Sequence, residues 1–562
     1  MGDAHLLFVG GGTSRTAGSI WTGTTAVTDA VAVVDGRIVA LGSDARALRG
    51  PTTEVIDLTG RTLLPGFRDG HIHPLAGGAE SLDCDLVDAA DVEEVLGRLG
   101  RFAAANPDLP WVLGWGYPPE ILPGGVSRAA ILDAVVGDRP VALWSSDHHM
   151  VWCNTRALTV AGLSAATPDP PRGTIVRDDA GHPVGTLLEE AELLLAAHVP
   201  PRGLEKEARG FEVGLARMAA AGLVFGQDAW TVPQRLPAYE RVADAGLLTA
   251  DIDLAFKVEV DRWRDELPAF LDARRQAAAG LDRRHRDGVP GGRLTATTAK
   301  FFIDGVIEGG TGHLLEPYEP GFGAGQACDH DGEDRGIANW AFGDLVEAAV
   351  AVDAAGFQLH CHAIGDAAVR TTLDVFEAVE RRNGPRDRRP TVAHTHLVHP
   401  DDLPRFSRLG AIANLEPLWA QPNAIMRELT EPRLGPVRSR WQYPIGALVR
   451  GGARVSFGSD WPVSSHEPLD GIAVAVTRQT PDGDPPEGWL PDQRISLDQA
   501  LTAYTAGTAY QAGDDADAGT IEPGRRADLT VVDAEVAALP ARELADVEVS
   551  GTWLAGRRVH RR

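Results

Sequence analysis

Leu63-Leu64-Pro65-Gly66-Phe67-Arg68-Asp69-Gly70-His71-Ile72-His73-Pro74 reads as a short apolar strand over Thr62–Phe67 that stops at a His-x-His pair. Alternate side chains of a strand point the same way. His71 and His73 therefore project together from the strand's end, an arrangement suited to two imidazoles on one metal ion. Pro65 and Gly66 force a bend just before the pair. Two polar loop histidines would give the same letters, so the rest of the chain has to decide.

A chain of 562 residues buries a large core and implies more than one domain. Hydrophobic residues make up 44% and charged residues 23%, as in soluble globular proteins. The net charge of −26 argues against nucleic acid or an anionic membrane surface as partner, because both need basic patches. Cys84, Cys153, Cys328 and Cys361 are scattered without paired spacing, which fits a reducing cytoplasm. No secretory signal and no apolar run of about 18 residues is present, so a cytoplasmic protein without a membrane span is expected. The expected partner is a small-molecule substrate, with a homodimer as an expected assembly.

Both ends of the chain are β-rich. Leu6–Val9, Ala30–Leu41 with its turn at Asp35-Gly36, and Val55–Leu58 form a helix-free unit at the start. Ala527–Asp533 and Val547–Val559 mirror it at the end. The spacing predicts one small β-sandwich built from residues 1–61 and 511–562, with residues 62–510 inserted into it. That middle alternates strands with helices, the pattern of a parallel sheet. Its strands are Thr62–Phe67, Leu223–Gln227, Ile252–Val258, Thr298–Ile303, Phe357–His362, Thr391–His394, Ala411–Leu415 and Val455–Gly458. Asp366 is a plausible N-cap for the helix carrying Val369, Leu373, Phe376 and Val379, and Ser496 with Gln499 forms a capping box. Eight strands with helices between them predict an α/β protein of the (β/α)8 TIM barrel type. An open doubly wound sheet is the alternative, but no Gly-x-Gly-x-x-Gly follows an early strand. The interval from residue 67 to residue 223 far exceeds the roughly 2–6 residues of a βα connection. Residues 78–200 thus read as an inserted subdomain after the first strand. The Gly- and Asp-rich loop 324–335 reads as a lid.

In a (β/α)8 barrel the chemistry sits at the C-terminal ends of the strands. Five of those ends carry metal-ligand types: His71 and His73, Lys300, the His360-Cys361-His362 triplet, the His394-Thr395-His396 triplet, and Asp460 after Gly458-Ser459. A lysine among apolar neighbours is costly to bury, and its ammonium cannot ligate a cation. Carbon dioxide added to its amine would give a carbamate with two anionic oxygens able to bridge two metals. A lysine ion-paired with Asp304 is the other reading.

Pro65 to His73, Lys300 to Gly305, His362-Ala363-Ile364-Gly365-Asp366, His394 and Gly458-Ser459-Asp460-Trp461-Pro462-Val463 resemble the amidohydrolase superfamily, nearest to its amidohydrolase family 3 branch, which includes N-substituted formamide deformylase-like enzymes. Gly114-Trp115-Gly116, Asp147–Leu158 and Gly185–Glu189 extend the resemblance into the insert. It implies that His71 and His73 hold the more buried metal with Asp460, that Lys300 bridges as a carboxylated lysine, and that His362 and His394 hold the second metal. One or two zinc ions are the implied cofactor. His360, His396 and His399 are then non-ligands. The pattern usually has an acidic residue before the sixth-strand histidine, where this chain has Ala393, which bears on how that histidine is oriented.

The implied reaction is hydrolysis of a non-peptide C–N bond in an amide, N-formyl or N-acyl compound, with Asp460 as ligand and proton carrier. Trp115, Tyr117, His149, Trp152, Asp304, Glu308 and Trp461 are the candidate substrate-binding residues. A ring deaminase or cyclic amidohydrolase, and a decarboxylase or isomerase on the same scaffold, are the alternatives.

Overall fold

Gly66 divides the opening stretch in two. A Cβ there would lie 2.5 Å from Val224 Cγ2, so only glycine lets the chain pass this close to its neighbour. Before it, Thr62–Pro65 is a strand of the terminal β-sandwich, pairing antiparallel with Leu529–Val532. After it, Phe67–Ile72 is the first barrel strand. The expected strand Thr62–Phe67 is thus corrected: its apolar residues serve the sandwich, and the barrel begins at Phe67.

The computed structural model describes residues 3–10, 20–122, 126–146, 148–170, 173–321 and 333–562. The expected lid 324–335 lies outside the described residues as far as 332. Eight parallel strands form the barrel sheet: β1 (Phe67–Ile72), β2 (Leu223–Thr231), β3 (Asp251–Lys257), β4 (Leu294–Phe302), β5 (Gln358–Ala363), β6 (Thr391–His394), β7 (Ile412–Leu415) and β8 (Arg454–Phe457). They pair in chain order, β1 to β8. The seam between β8 and β1 is closed by the loop after β8. Asp460 N donates to His71 O at 2.7 Å, and His73 N donates to Trp461 O at 2.9 Å. Asp69 Oδ1 accepts from the backbone N–H groups of both His71 and Ser459. Gly458 permits this approach, since a Cβ there would meet His71 Cβ at 2.7 Å. The closure brings Asp460 to the histidine pair.

The terminal strands make two four-stranded sheets, one from residues 6–57 and one from Thr62–Pro65 with the three C-terminal strands. They share a core in which Phe8 meets Trp553 edge-on at 5.0 Å. The N-terminal part is not helix-free: Gly42–Ala47 forms a short helix beside its first sheet. The capping box at Ser496 and Gln499 is present. Asp366 is not an N-cap. Gly365 takes that position, and Asp366 Oδ1 instead accepts from Leu315 N.

A second compact unit comprises residues 75–214 and 462–464, wider than the expected 78–200. Its six-stranded sheet carries the hairpin Gly173–Arg177 and Pro183–Glu189 at one edge. One sheet face packs on Val95, Leu99 and Leu132, the other on Ala157, Leu158 and Leu195. Among the described residues, no helix is long and apolar enough to cross a membrane.

Candidate metal centre

At the C-terminal rim the strand ends converge. His71 lies near the end of β1 and His73 follows it. Ligand atoms of His71, His73 and Asp460 lie within 4.8 Å of one another, and so do those of His71, His394 and Glu416. His71 and His394 are buried, and their ring centroids are 4.7 Å apart. Asp460 and His394 both take left-handed backbone (φ 53° and 70°), uncommon outside glycine, and the turns this produces aim their side chains inward.

Hydrogen bonds decide which nitrogen of each ring faces the centre. The Lys300 ammonium lies 3.1 Å from His71 Nε2 and can only donate, so Nε2 holds the lone pair and Nδ1–H donates to His360 Nε2 at 3.0 Å. His394 Nδ1–H donates to Glu416 Oε2 at 3.0 Å, leaving Nε2 open. His73 has Asp460 Oδ1 at 2.9 Å from Nε2 and Asp228 Oδ1 at 3.7 Å from Nδ1. His362 Nε2–H donates to Gly305 O at 3.1 Å, which leaves Nδ1 as the atom able to ligate. Its ring centroid is 4.5 Å from that of His394, yet it belongs to neither group of mutually close ligand atoms. Each imidazole therefore has a partner on the nitrogen turned away from the centre, the arrangement that fixes tautomer and ring orientation at metal sites.

Burial and the carboxylates pull the charged groups of the centre in opposite directions. Burial alone would lower the His73 pKa, but hydrogen bonds to Asp228 and Asp460 outweigh it and hold it up at about 9. Burial also pushes Asp460 upward, and the bond from His73 with nearby positive charge reverses this, keeping its carboxyl below the usual range. Burial drives His71 well below its ordinary value, which keeps it neutral and able to ligate. Burial lowers Lys300 to about 8, with Asp460 and Glu416 pulling the other way. Imidazole and carboxylate donors converging at the barrel rim fit a zinc-like divalent ion.

The matching family model, described as the amidohydrolase family, covers residues 54–560. The chain belongs to the amidohydrolase family. This amidohydrolase is 28% identical over 544 residues to the putative amidohydrolase YtcJ of Bacillus subtilis, covering 95% of this chain and 96% of that one. It is also 28% identical over 541 residues to N-substituted formamide deformylase of Arthrobacter pascens, covering 94% of each. Among solved structures it is similar in fold to an uncharacterized metal-dependent hydrolase from Pyrococcus horikoshii, with a TM-score of 0.70 at 22% identity over 95% of this chain and 99% of the other.

Tyr117 and Trp152 are fully enclosed in the core of the second unit, edge to face at 5.9 Å, and neither presents a surface to substrate. Trp115, also in that unit, stacks on Trp144 at 4.2 Å under the Arg202 guanidinium. His149 there is 2.9 Å from Glu189 through Nδ1. Asp304, an expected substrate contact, serves as a loop anchor. Its carboxylate accepts from the backbone of His313, Ile364 and Gly365, joining the segments after β4 and β5. Glu308 is half-buried, near Tyr318 and Tyr443. The Trp461 ring is buried against Arg217 and His466. His360 pairs with His71, His396 with Gln442, and His399 caps the turn Pro400–Asp402.

Three features escape a reading of the sequence. Asp228 sits near the end of β2, where its carboxylate also accepts from Tyr239 OH at 2.6 Å. Glu416 directly follows β7 and is fully buried. A charged residue closing an apolar barrel strand, here immediately before a proline, is the signal that could have found it. Trp230 on β2 is 44% exposed and meets Phe302 at 5.6 Å, which in turn lies 5.2 Å from His362.

Proposed function

We propose that this amidohydrolase is a metal-dependent hydrolase cleaving a non-peptide C–N bond of an amide, N-formyl or N-acyl small molecule. The observation that carries the reading is the convergence of His71, His73 and Asp460 at the barrel rim with His71, His394 and Glu416 beside them. Family membership and full-length similarity to a formamide deformylase support the amide as the bond class. His71, His73 and Asp460 would hold one divalent ion, zinc in this reading. Lys300, His362 and His394 would hold a second. A bound ion supplies a water activated towards neutral pH and a Lewis acid for the substrate carbonyl.

The chain's own residues do the rest. The Asp460 carboxylate, kept ionised, takes the proton of the attacking water as the C–O bond forms. It then delivers that proton to the amide nitrogen as the C–N bond breaks, releasing an amine and a carboxylic acid, or formate from an N-formyl substrate. Lys300, with its pKa lowered to about 8, has a neutral fraction at neutral pH that can add to carbon dioxide and lose a proton, giving an anionic carbamate. The conversion replaces a cation by an anion where cations are to be bound. The exposed Trp230 edge beside Phe302 offers an apolar surface for a substituent on the substrate.

A panel of N-formyl amines, N-acyl amines, cyclic amides and aminated heterocycles, assayed with the zinc-loaded protein, tests this reading. Turnover concentrated in the N-formyl and N-acyl members is expected. Ammonia release from the heterocycles with none from the open-chain amides would replace it by a deaminase.

A further inference from the structure

His394 ends a four-residue strand on a left-handed backbone, so little in β6 itself fixes its ring. The preceding residue, Ala393, brings no polar group. The ring is instead held by the next strand's exit. Glu416 is the first residue after β7, and the turn Pro417–Trp419 follows at once. Glu416 Oε2 takes the Nδ1 proton of His394 at 3.0 Å. Trp419, three residues on, stacks on the same imidazole with ring centroids 5.7 Å apart and planes 7° from parallel. One bond in the plane of the ring and one contact on its face remove both rotations that would swing Nε2 away.

A glutamate with no exposed surface is expensive to bury and persists only with good partners. Its Oε1 has no hydrogen-bond partner among the described residues, so His394 accounts for the bonding of this carboxylate. The His71–His394–Glu416 group of mutually close ligand atoms places its negative charge beside the position a cation would take.

We propose that the turn from Glu416 to Trp419 is the positioning device for His394, with Glu416 fixing the tautomer that leaves Nε2 free and Trp419 fixing the ring plane. The proposal rests on the metal-centre reading and adds two positioning residues to it. It places a determinant of the second ion's affinity in the turn after β7, a strand that supplies none of the six expected ligands.

The test is zinc binding to the chelator-stripped full chain, measured by competition with a chromophoric chelator, together with the visible spectrum of the cobalt(II) form. Losses of about 10–100-fold in metal affinity follow removal of such a partner. Glu416→Gln keeps an acceptor oxygen for Nδ1–H without the charge, so the weaker zinc should bind about tenfold less tightly. Glu416→Ala removes the acceptor and should lose up to about 100-fold. Trp419→Leu should shift the cobalt bands while keeping both ions. If Glu416→Ala does not fold, the tenfold loss in Glu416→Gln still decides. Wild-type affinity and spectrum in Glu416→Gln would overturn the proposal. So would a Glu416→Gln loss as large as that of Glu416→Ala with the carboxylate contribution gone from the spectrum, because Glu416 would then be a ligand. A wild-type chain that binds neither metal would overturn the metal-centre reading itself, a failure seen before any variant is made.

Discussion

Asp460→Asn is expected to lose about 10²–10⁴-fold in kcat, the range for removal of a general acid–base group. Asparagine keeps the shape of the side chain and one oxygen that can ligate, but no basicity. Asp460 Oδ1 lies 2.9 Å from His73 Nε2 and 3.5 Å from His71 Nε2. A group so placed reaches any water held between the same histidines. The loss falls on proton transfer, so kcat should drop far more than KM rises, and the variant should retain its fold and most of its metal. The backbone at residue 460 is left-handed, a conformation asparagine tolerates as well as aspartate, so the substitution adds no strain of its own. The measurement is kcat, KM and zinc content on whichever amide is turned over. A variant with full zinc and near wild-type kcat would move the proton carrier to another residue.

Lys300→Ala should be nearly as damaging for a different reason. Lys300 is 1% exposed, and its Nζ faces His71 Nε2, the atom that would ligate in the proposed centre. As an ammonium it competes with a cation for that lone pair. As a carbamate it would contribute two anionic oxygens to the same space. Alanine removes both states, so the variant should bind less zinc per chain than the wild type. Loss of one ion's charge stabilisation, several kcal/mol, corresponds to a drop of about 10²–10³-fold in kcat/KM. Formate or acetate, small enough to enter the vacated space, should restore part of it. Undiminished zinc and activity in the variant would remove Lys300 from the centre.

Much of this site was legible because barrel strands are buried on both faces and therefore read as apolar runs, with the chemistry set off at their ends. Thr391–His394 matches the expected strand residue for residue, and His71, His73 and Asp460 meet as their strand ends predict. What was not legible depended on contacts distant in sequence. The first strand breaks at Gly66 because of Val224, more than a hundred residues later. Asp304 is near Lys300 in sequence, but its oxygens are taken by the backbone at 313, 364 and 365. Tyr117 and Trp152 have the same pattern whether an aromatic lines a pocket or fills a core, and here it is the core. Glu416 and Asp228 were missed because a partner that orients a ligand needs no fixed spacing from it.

Metal content tests the metal centre most directly. Purified protein, analysed for elements without added metal and assayed before and after chelation, should carry one to two divalent ions per chain, chiefly zinc. Activity should vanish on chelation and return with zinc. A preparation that is fully active with far less than one ion per chain would contradict it.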